Sequence, residues 1–115
     1  MEIGVDIEQN ERFKNVSMHF LERVYTTSEL EFASKFKNAH EHLCALWCVK
    51  EATVKAFSNL KIPFKEIEVT STKDGKPYIV KNETIKNELD KLGLTDIKIS
   101  LSHSKDYSTA TCIIY

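Results

Sequence analysis

The stretch Trp47-Cys48-Val49-Lys50-Glu51-Ala52-Thr53-Val54-Lys55-Ala56 decides the architecture of this chain, because it has the pattern of a long helix that is apolar on most of its sides. Within residues 43–59 the only formal charges are those of Lys50, Glu51 and Lys55. A helix of this kind is buried, and burying an unpaired carboxylate or ammonium group costs several kcal/mol. These charges therefore need partners, which can be a metal ion, a phosphate or one another.

Glu51 and Lys55 are one helical turn apart, and two interpretations of this spacing are open. A glutamate four residues before a lysine forms a favourable pair within the helix, which stabilises it by roughly 0.2–0.5 kcal/mol. In the other interpretation the two side chains face a ligand, with the carboxylate on a cation and the ammonium on a phosphate. The rest of the sequence favours the second interpretation.

The N-terminal segment alternates in the manner of a strand, with Ile3, Val5 and Ile7 on one face and Asp6 and Glu8 on the other. Two neighbouring acids repel each other unless they are solvated. The pair becomes favourable where a hard divalent cation collects their oxygens. This strand is therefore a candidate source of metal ligands.

A second alternating segment, residues 97–102, runs into a turn that is rich in hydroxyl groups and carries a histidine. A single histidine is most often a surface or capping residue. Here Ser102, His103, Ser104 and Lys105 together offer donors suited to phosphate oxygens, and a histidine titrates near physiological pH.

The order of the remaining patterns predicts an α+β fold with a mainly antiparallel sheet packed against the long helix, in a single domain over residues 1–115. Thr26 and Glu29 form a capping box that opens one helix, Pro63 limits the long helix, and Gly75 lies in a hairpin turn. The predicted helices cover residues 26–38, 41–60 and 84–92, with short helical pieces in 12–23. The predicted strands cover residues 1–8, 64–70, 77–80, 97–102 and 109–114.

Composition excludes several classes of protein. Sixteen basic and seventeen acidic residues give a formal charge of −1, which does not suit a nucleic-acid surface or a membrane-seeking protein. No signal segment or run of bilayer-crossing length is present, so we expect a cytoplasmic protein. Cys44 and Cys48 could be soft metal ligands, but with Cys112 they are better interpreted as small buried apolar residues than as a zinc site or a disulfide framework.

Three separated motifs resemble those of the 4'-phosphopantetheinyl transferases, and the length and order are similar to the holo-acyl-carrier-protein synthase type. They are Gly4-Val5-Asp6-Ile7-Glu8, Trp47-x-x-Lys50-Glu51-Ala52-x-x-Lys55-Ala56 and Ser100-Leu101-Ser102-His103. The resemblance implies Mg2+-dependent transfer of the 4'-phosphopantetheine group of coenzyme A to a serine of an acyl carrier protein, with release of adenosine 3',5'-bisphosphate. It also implies a homotrimer with active sites at the subunit interfaces.

The resemblance also implies roles for the charged residues. Asp6 and Glu51 match the metal ligands, while Glu8 matches a third carboxylate found in the larger two-lobed transferases, so the number of ligands stays open. Glu51 is the candidate base that takes the serine proton, and Lys55 is the candidate contact to the phosphates and the leaving oxygen. The residues expected to bind coenzyme A are Lys50, Lys55, Ser102 and His103, the last from a neighbouring subunit.

The carrier protein implied by the resemblance is acidic and helical, and Arg12, Phe20 and Arg23 match positions that contact it. For either arginine, a solvated surface charge is an equally open interpretation. The segment that follows the long helix departs from the family, because residues 57–64 are short and contain no glycine. Without glycine the backbone cannot approach phosphates as closely.

Two other functions compete with the transferase. One is a non-catalytic domain that binds coenzyme A or a carrier protein, and the other is an unrelated structural domain with a helical Glu–Lys pair. Asp6, Glu51 and Lys55 argue against the first, because binding alone does not need aligned carboxylates. The second would leave the matches around Asp6 and His103 as coincidences.

Overall fold

A nineteen-residue helix, α3, lies at the centre of the computed structural model, which describes residues 1–115. The helices are α1 (Met18–Val24), α2 (Thr27–Ser34), α3 (Ala39–Phe57) and α4 (Glu83–Lys91). The strands are β1 (Glu2–Gln9), β2 (Val69–Ser71), β3 (Pro77–Ile79), β4 (Ile97–His103) and β5 (Tyr107–Ile114). The predicted α+β fold with antiparallel sheet is confirmed. None of the helices combines the length and the hydropathy that crossing a membrane requires.

Strands β1, β5 and β4 form one antiparallel sheet in that order, and β2 pairs with β3 in a separate hairpin. The inner face of the larger sheet packs on α3 through buried residues of β5 such as Ala110 and Cys112. The other two cysteines, Cys44 and Cys48, are also free and buried. All three cysteines therefore belong to the core, as the sequence pattern favoured.

The outer face of β1 is apolar and uncovered. Ile3, Val5 and Ile7 are 64%, 57% and 63% exposed, and their strand partners on β5 are Ile113, Thr111 and Thr109. A contiguous exposed apolar patch of this kind marks an interaction surface rather than a normal monomer surface.

Gly4 sets the distance between β1 and α3. A Cβ atom at this position would overlap the carbonyl oxygen of Ala52 and crowd the amide of Ala56, which are both backbone atoms of α3. Backbone cannot move aside as the end of a side chain can. Only glycine lets β1 lie this close to α3, and the close approach brings Asp6, two residues later, to the same helix.

The segment after α3 differs from the prediction at two points. The helix ends at Phe57, because Ser58 adopts a left-handed conformation (φ 53°) and its amide bonds back to α3. The predicted strand over residues 64–70 is wrong in its first half. Phe64–Glu66 is a 3-10 turn, because the carbonyls of Phe64 and Ile67 turn inward to accept hydrogen bonds from a buried ammonium group, described below.

Asn10 fixes the turn between β4 and β5. It is buried, its side-chain amide donates to the carbonyl oxygens of Ser104 and Lys105 at 2.8 and 3.0 Å, and its amide oxygen accepts from the Ser108 hydroxyl at 2.6 Å. The turn that follows His103 is therefore held by the residue directly after β1.

Candidate active site

The Lys55 side chain, one helical turn after Glu51 on α3, reaches β1. The Lys55 ammonium donates to the Asp6 carboxylate at 3.1 Å and to the Val5 carbonyl oxygen at 3.0 Å, and no ion pair joins it to Glu51. The simple intrahelical pair is therefore not what the structure contains. Instead a strand carboxylate and a helix ammonium meet where Gly4 brings the two elements together, with the Lys55 side chain half exposed.

Asp6 has an oxygen without a partner. Its Oδ1 accepts from Lys55, whereas Oδ2 is the only buried side-chain nitrogen or oxygen of the protein that lacks a hydrogen bond. An unsatisfied buried carboxylate oxygen is costly and normally has a reason, such as an ion that binds there.

Glu51 lies close enough to these groups to feel their charge. Burial raises the pKa of its carboxyl group, the negative charges of Asp6 and Glu8 raise it further, and Lys55 opposes them. The Glu51 residue is half-buried. Asp6 and Glu51 thus form a pair of mutually repelling carboxylates beside one ammonium group, an arrangement that favours a proton or a cation.

The structure does not gather Asp6, Glu8 and Glu51 into a set of three converging ligands. Glu8 instead accepts a hydrogen bond from the Arg12 guanidinium at 2.9 Å. The reason is the turn Asn10–Phe13 directly after β1, which places Arg12 four residues beyond Glu8. Arg12 is thereby engaged with Glu8, although two thirds of its side chain is exposed.

Lys50 is not a coenzyme A contact in this structure, which corrects the prediction. Its ammonium group is fully buried and pairs with the Glu29 carboxylate at 2.9 Å. It also donates to the carbonyl oxygens of Phe64 and Ile67 at 2.9 and 2.8 Å. Every proton of this ammonium has a partner inside the protein, so the group has none left for a phosphate.

His103 lies at the other end of α3. Its Nδ1 is 3.7 Å from the Glu41 carboxylate, and its ring is 5.6 Å from that of His42. Burial and the neighbouring His103 lower the pKa of His42. Glu41 and Glu51 are ten residues apart on one helix, or about 15 Å. His103 therefore does not reach the Glu51 of its own chain.

A cavity of about 350 Å³ opens beside His103, between α2, α3, β4 and the β2–β3 hairpin. Its walls include the rings of Phe32 and His42, the side chain of Leu101 and Pro77 of the hairpin. Its lining combines apolar side chains with two histidines, His42 and His103, and with polar residues of α2 and the hairpin. Ser102 is exposed on the outer face of the same strand.

A separate groove of about 430 Å³ lies at the opposite side of α3 and is called the Trp47 groove here. Its residues are Phe20, Arg23, Val24, Trp47, Leu60, Lys61, Ile62, Pro63 and Phe64. Phe20 and Phe64 pack on the Trp47 ring, with centroids 5.6 and 4.9 Å away. Two of the residues expected to meet a carrier protein, Phe20 and Arg23, therefore share one groove, whereas Arg12 does not line it.

Sequence reasoning missed Glu29 and Asn10. Glu29 was interpreted only as part of a capping box, which it does form, but its carboxylate also accepts from the Val69 amide at 2.8 Å and holds Lys50. No local pattern reveals that second role. Asn10 carried no signal, because the carbonyls it binds are more than ninety residues away.

Comparison with known proteins places the chain in a family. The sequence model described as the 4'-phosphopantetheinyl transferase superfamily matches residues 2–112. The holo-[acyl-carrier-protein] synthase of Aquifex aeolicus is 40% identical over 119 residues, which cover 97% of this chain and 96% of the relative. That of Caldanaerobacter subterraneus is 34% identical over 116 residues, which cover 96% and 91%.

Solved structures of holo-acyl-carrier-protein synthases also match this chain. The holo-(acyl-carrier-protein) synthase of Bacillus anthracis, crystallised in complex with CoA (3',5'-ADP), superposes with a TM-score of 0.80 at 26% identity and covers 98% of this chain and 94% of its own. The synthase of Neisseria meningitidis shares the fold, with a TM-score of 0.88 at 23% identity, covering 99% of this chain and 97% of its own. With motifs, fold and near-complete coverage in agreement, the chain belongs to the 4'-phosphopantetheinyl transferase superfamily.

Proposed function

We propose that this chain transfers the 4'-phosphopantetheine arm of coenzyme A to a serine of an acyl carrier protein and releases adenosine 3',5'-bisphosphate. The observation that carries the proposal is the ion pair of Asp6 and Lys55 where β1 crosses α3, with Glu51 one helical turn before Lys55 and near enough to feel both charges, in a member of this superfamily. The names of the relatives, holo-[acyl-carrier-protein] synthases, support the choice of acceptor.

Glu51 acts as the base. The serine oxygen attacks the β-phosphorus of coenzyme A, a new P–O bond forms, and the bond to the bridging oxygen of the diphosphate breaks with its electron pair on the leaving nucleotide. Glu51 takes the serine proton, provided that it lies within hydrogen-bond reach of the hydroxyl.

Lys55 supplies positive charge to the same reaction. Its ammonium is held by Asp6 and the Val5 carbonyl, yet half of the side chain is open to solvent and to a substrate. A fixed cation next to a diphosphate stabilises the charge that develops on the leaving oxygen. Lys55 is thus a phosphate contact, and Asp6 orients it.

Asp6 and Glu51 are suited to hold Mg2+. The Oδ2 atom of Asp6 lacks a partner, Glu51 is repelled by Asp6, and Mg2+ favours one or two carboxylates with water and phosphate oxygens as the other ligands. When bound, Mg2+ neutralises charge on the diphosphate. Glu8 is not included among the proposed Mg2+ ligands, because its carboxylate is paired with Arg12.

The nucleotide half of coenzyme A fits the cavity beside His103. The rings of Phe32 and His42 and the side chain of Leu101 suit the flat faces of a base, and His103 offers a donor for phosphate oxygens. Ser102 lies on the other face of β4 and does not line this cavity, so the predicted contact of Ser102 with the nucleotide is not part of it. Because His103 lies beside Glu41, and Glu41 is about 15 Å along α3 from Glu51, His103 serves the site of a neighbouring subunit. We therefore propose a homotrimer, in which the uncovered face of Ile3, Val5 and Ile7 becomes the interface.

The carrier protein approaches along α1, where Arg23 and Phe20 line the Trp47 groove, with Arg12 nearby in sequence on the preceding turn.

Three free and buried thiols suit a reducing compartment, so we propose that the protein works in the cytoplasm.

Mass spectrometry tests the proposal. Incubating an acyl carrier protein with this chain, coenzyme A and Mg2+ should add one 4'-phosphopantetheine to the carrier, and Glu51→Gln should remove that gain while the protein stays folded. Binding of coenzyme A with no change in carrier mass, under conditions where a related synthase succeeds, would instead establish the non-catalytic binding domain.

A further inference from the structure

We propose that the short segment between α3 and the 3-10 turn at Phe64 is a recognition element for the carrier protein. In this proposal Leu60 and Lys61 form one wall of the Trp47 groove, Arg23 on α1 forms the other, and an apolar side chain of the carrier flanked by acidic groups docks between them. The inference rests on the proposed function and names the partner surface of that same site.

Leu60 is exposed to solvent on a segment whose neighbouring residues are fixed in place. Its exposed fraction is 88%. On one side the Asn59 side chain donates to Glu88 on α4 at 2.9 Å and accepts from the Lys61 amide at 3.0 Å. On the other side Ile62 is 5% exposed in the core. The Leu60 side chain adjoins the apolar lining of the Trp47 groove and extends it, and a contiguous apolar patch of this kind marks an interaction site.

The charges of the groove define that partner. Among the residues that line it, the charged ones are Arg23 and Lys61, and none is acidic. The floor is aromatic, formed by Trp47, Phe20 and Phe64. Charge complementarity therefore selects a protein surface on which carboxylates surround an apolar residue.

The position of the groove fits the delivery of a serine. Trp47 precedes Glu51 by four residues on α3, so the groove floor and the proposed base are about 6 Å apart along one side of the helix. A carrier protein held in the groove has its surface next to Glu51. The cavity assigned to the nucleotide shares no lining residue with the groove, and neither does the exposed face of β1. The groove therefore overlaps neither of these two surfaces.

Steady-state kinetics with purified carrier protein test the inference. Leu60→Ser should raise KM for the carrier about tenfold to a hundredfold, the range expected for losing the burial of one leucine, with KM for coenzyme A unchanged. Leu60→Met should restore the wild-type value, because its side chain has a similar volume. Lys61→Glu should raise the carrier KM and weaken its dependence on salt. Lys86→Glu, the same charge change on an exposed position of α4 outside the groove, is the control.

Each other outcome overturns the inference. An unchanged carrier KM in Leu60→Ser and Lys61→Glu means that the segment does not touch the carrier. A rise in the coenzyme A KM alone assigns the groove to the pantetheine arm, and a change of sedimentation in Leu60→Ser assigns it to another copy of this chain. Failure of the proposed function is distinct, because the wild-type protein would then transfer nothing to any carrier.

Discussion

Replacing Lys50 by Met tests whether this residue is part of the folding core rather than of the substrate site. The variant keeps most of the side-chain volume and removes only the charge and its hydrogen bonds. Glu29 would then remain as a buried carboxylate without its cation, and the carbonyls of Phe64 and Ile67 would lose their donor.

Breaking a buried ion pair by removing one partner costs about 3–5 kcal/mol. The Glu29 carboxylate keeps two hydrogen bonds, from the amides of Thr26 and Val69, which limits the penalty to that range. A domain of this size is stable by about 5–15 kcal/mol, so Lys50→Met should lose a large part of its stability. At about 4 °C per kcal/mol, Tm should fall by roughly 12–20 °C.

Urea denaturation followed by circular dichroism measures the effect, with Lys86→Met on the exposed face of α4 as the control. The double variant Lys50→Met/Glu29→Gln should be more stable than Lys50→Met alone, because the uncompensated charge is gone. Below its Tm the folded single variant should keep the wild-type KM for coenzyme A. A loss of less than about 1 kcal/mol, the range for exposed ion pairs, or a large rise in that KM, would refute the buried role and return Lys50 to the phosphates.

Three further changes test the site and its assembly. Lys55→Ala should stay folded, still bind Mg2+ and transfer about a hundredfold to a thousandfold more slowly. If Lys55 only stabilised the helix through Glu51, the change would cost a few tenths of a kcal/mol of stability and leave the rate intact. Wild-type turnover of the variant would exclude Lys55 from the mechanism. The raised pKa of Glu51 means that its ionised form destabilises the folded state. Glu51→Gln should therefore raise the Tm of the metal-free protein at neutral pH, and this gain should vanish below about pH 4, where the carboxyl group is protonated in both the folded and the unfolded state. An unchanged Tm at neutral pH would contradict this prediction. Mixed oligomers of inactive Glu51→Gln and His103→Ala should recover part of the activity, and a monomer by sedimentation would exclude a shared site.

Much of the fold follows from periodicity. The apolar run of α3 and the alternation in β1, β4 and β5 are strong local signals, and the structure has each of these elements. The prediction of a strand over residues 64–70 was wrong in its first half, because the conformation there is set by hydrogen bonds to the distant Lys50. Phe64 and Ile67 direct their carbonyls to Lys50, a contact that no window of local sequence contains.

The site residues divide in the same way. Successive residues of a helix point about 100° apart, so Lys50 and Glu51 face different sides although they are neighbours in the chain. Sequence showed that α3 had to find partners for its charges. It could not show that Lys50 turns inward to Glu29 or that Lys55 reaches across to Asp6, because these choices depend on how α2 and β1 pack against the helix.

The order of the sheet has a consequence for how the protein reaches its native state. β5, the last strand in chain order, lies between β1 and β4, and Asp6 pairs with Ala110 across more than one hundred residues. Pairing of such distant segments requires closing a long loop first, which makes folding slow. During synthesis β1 has no neighbour in the sheet until β5 is made. Until then the apolar side chains of Ile3, Val5 and Ile7 have no partner strand beside them, and the register that places Asp6 opposite Ala110 is set only when the last strand is in place.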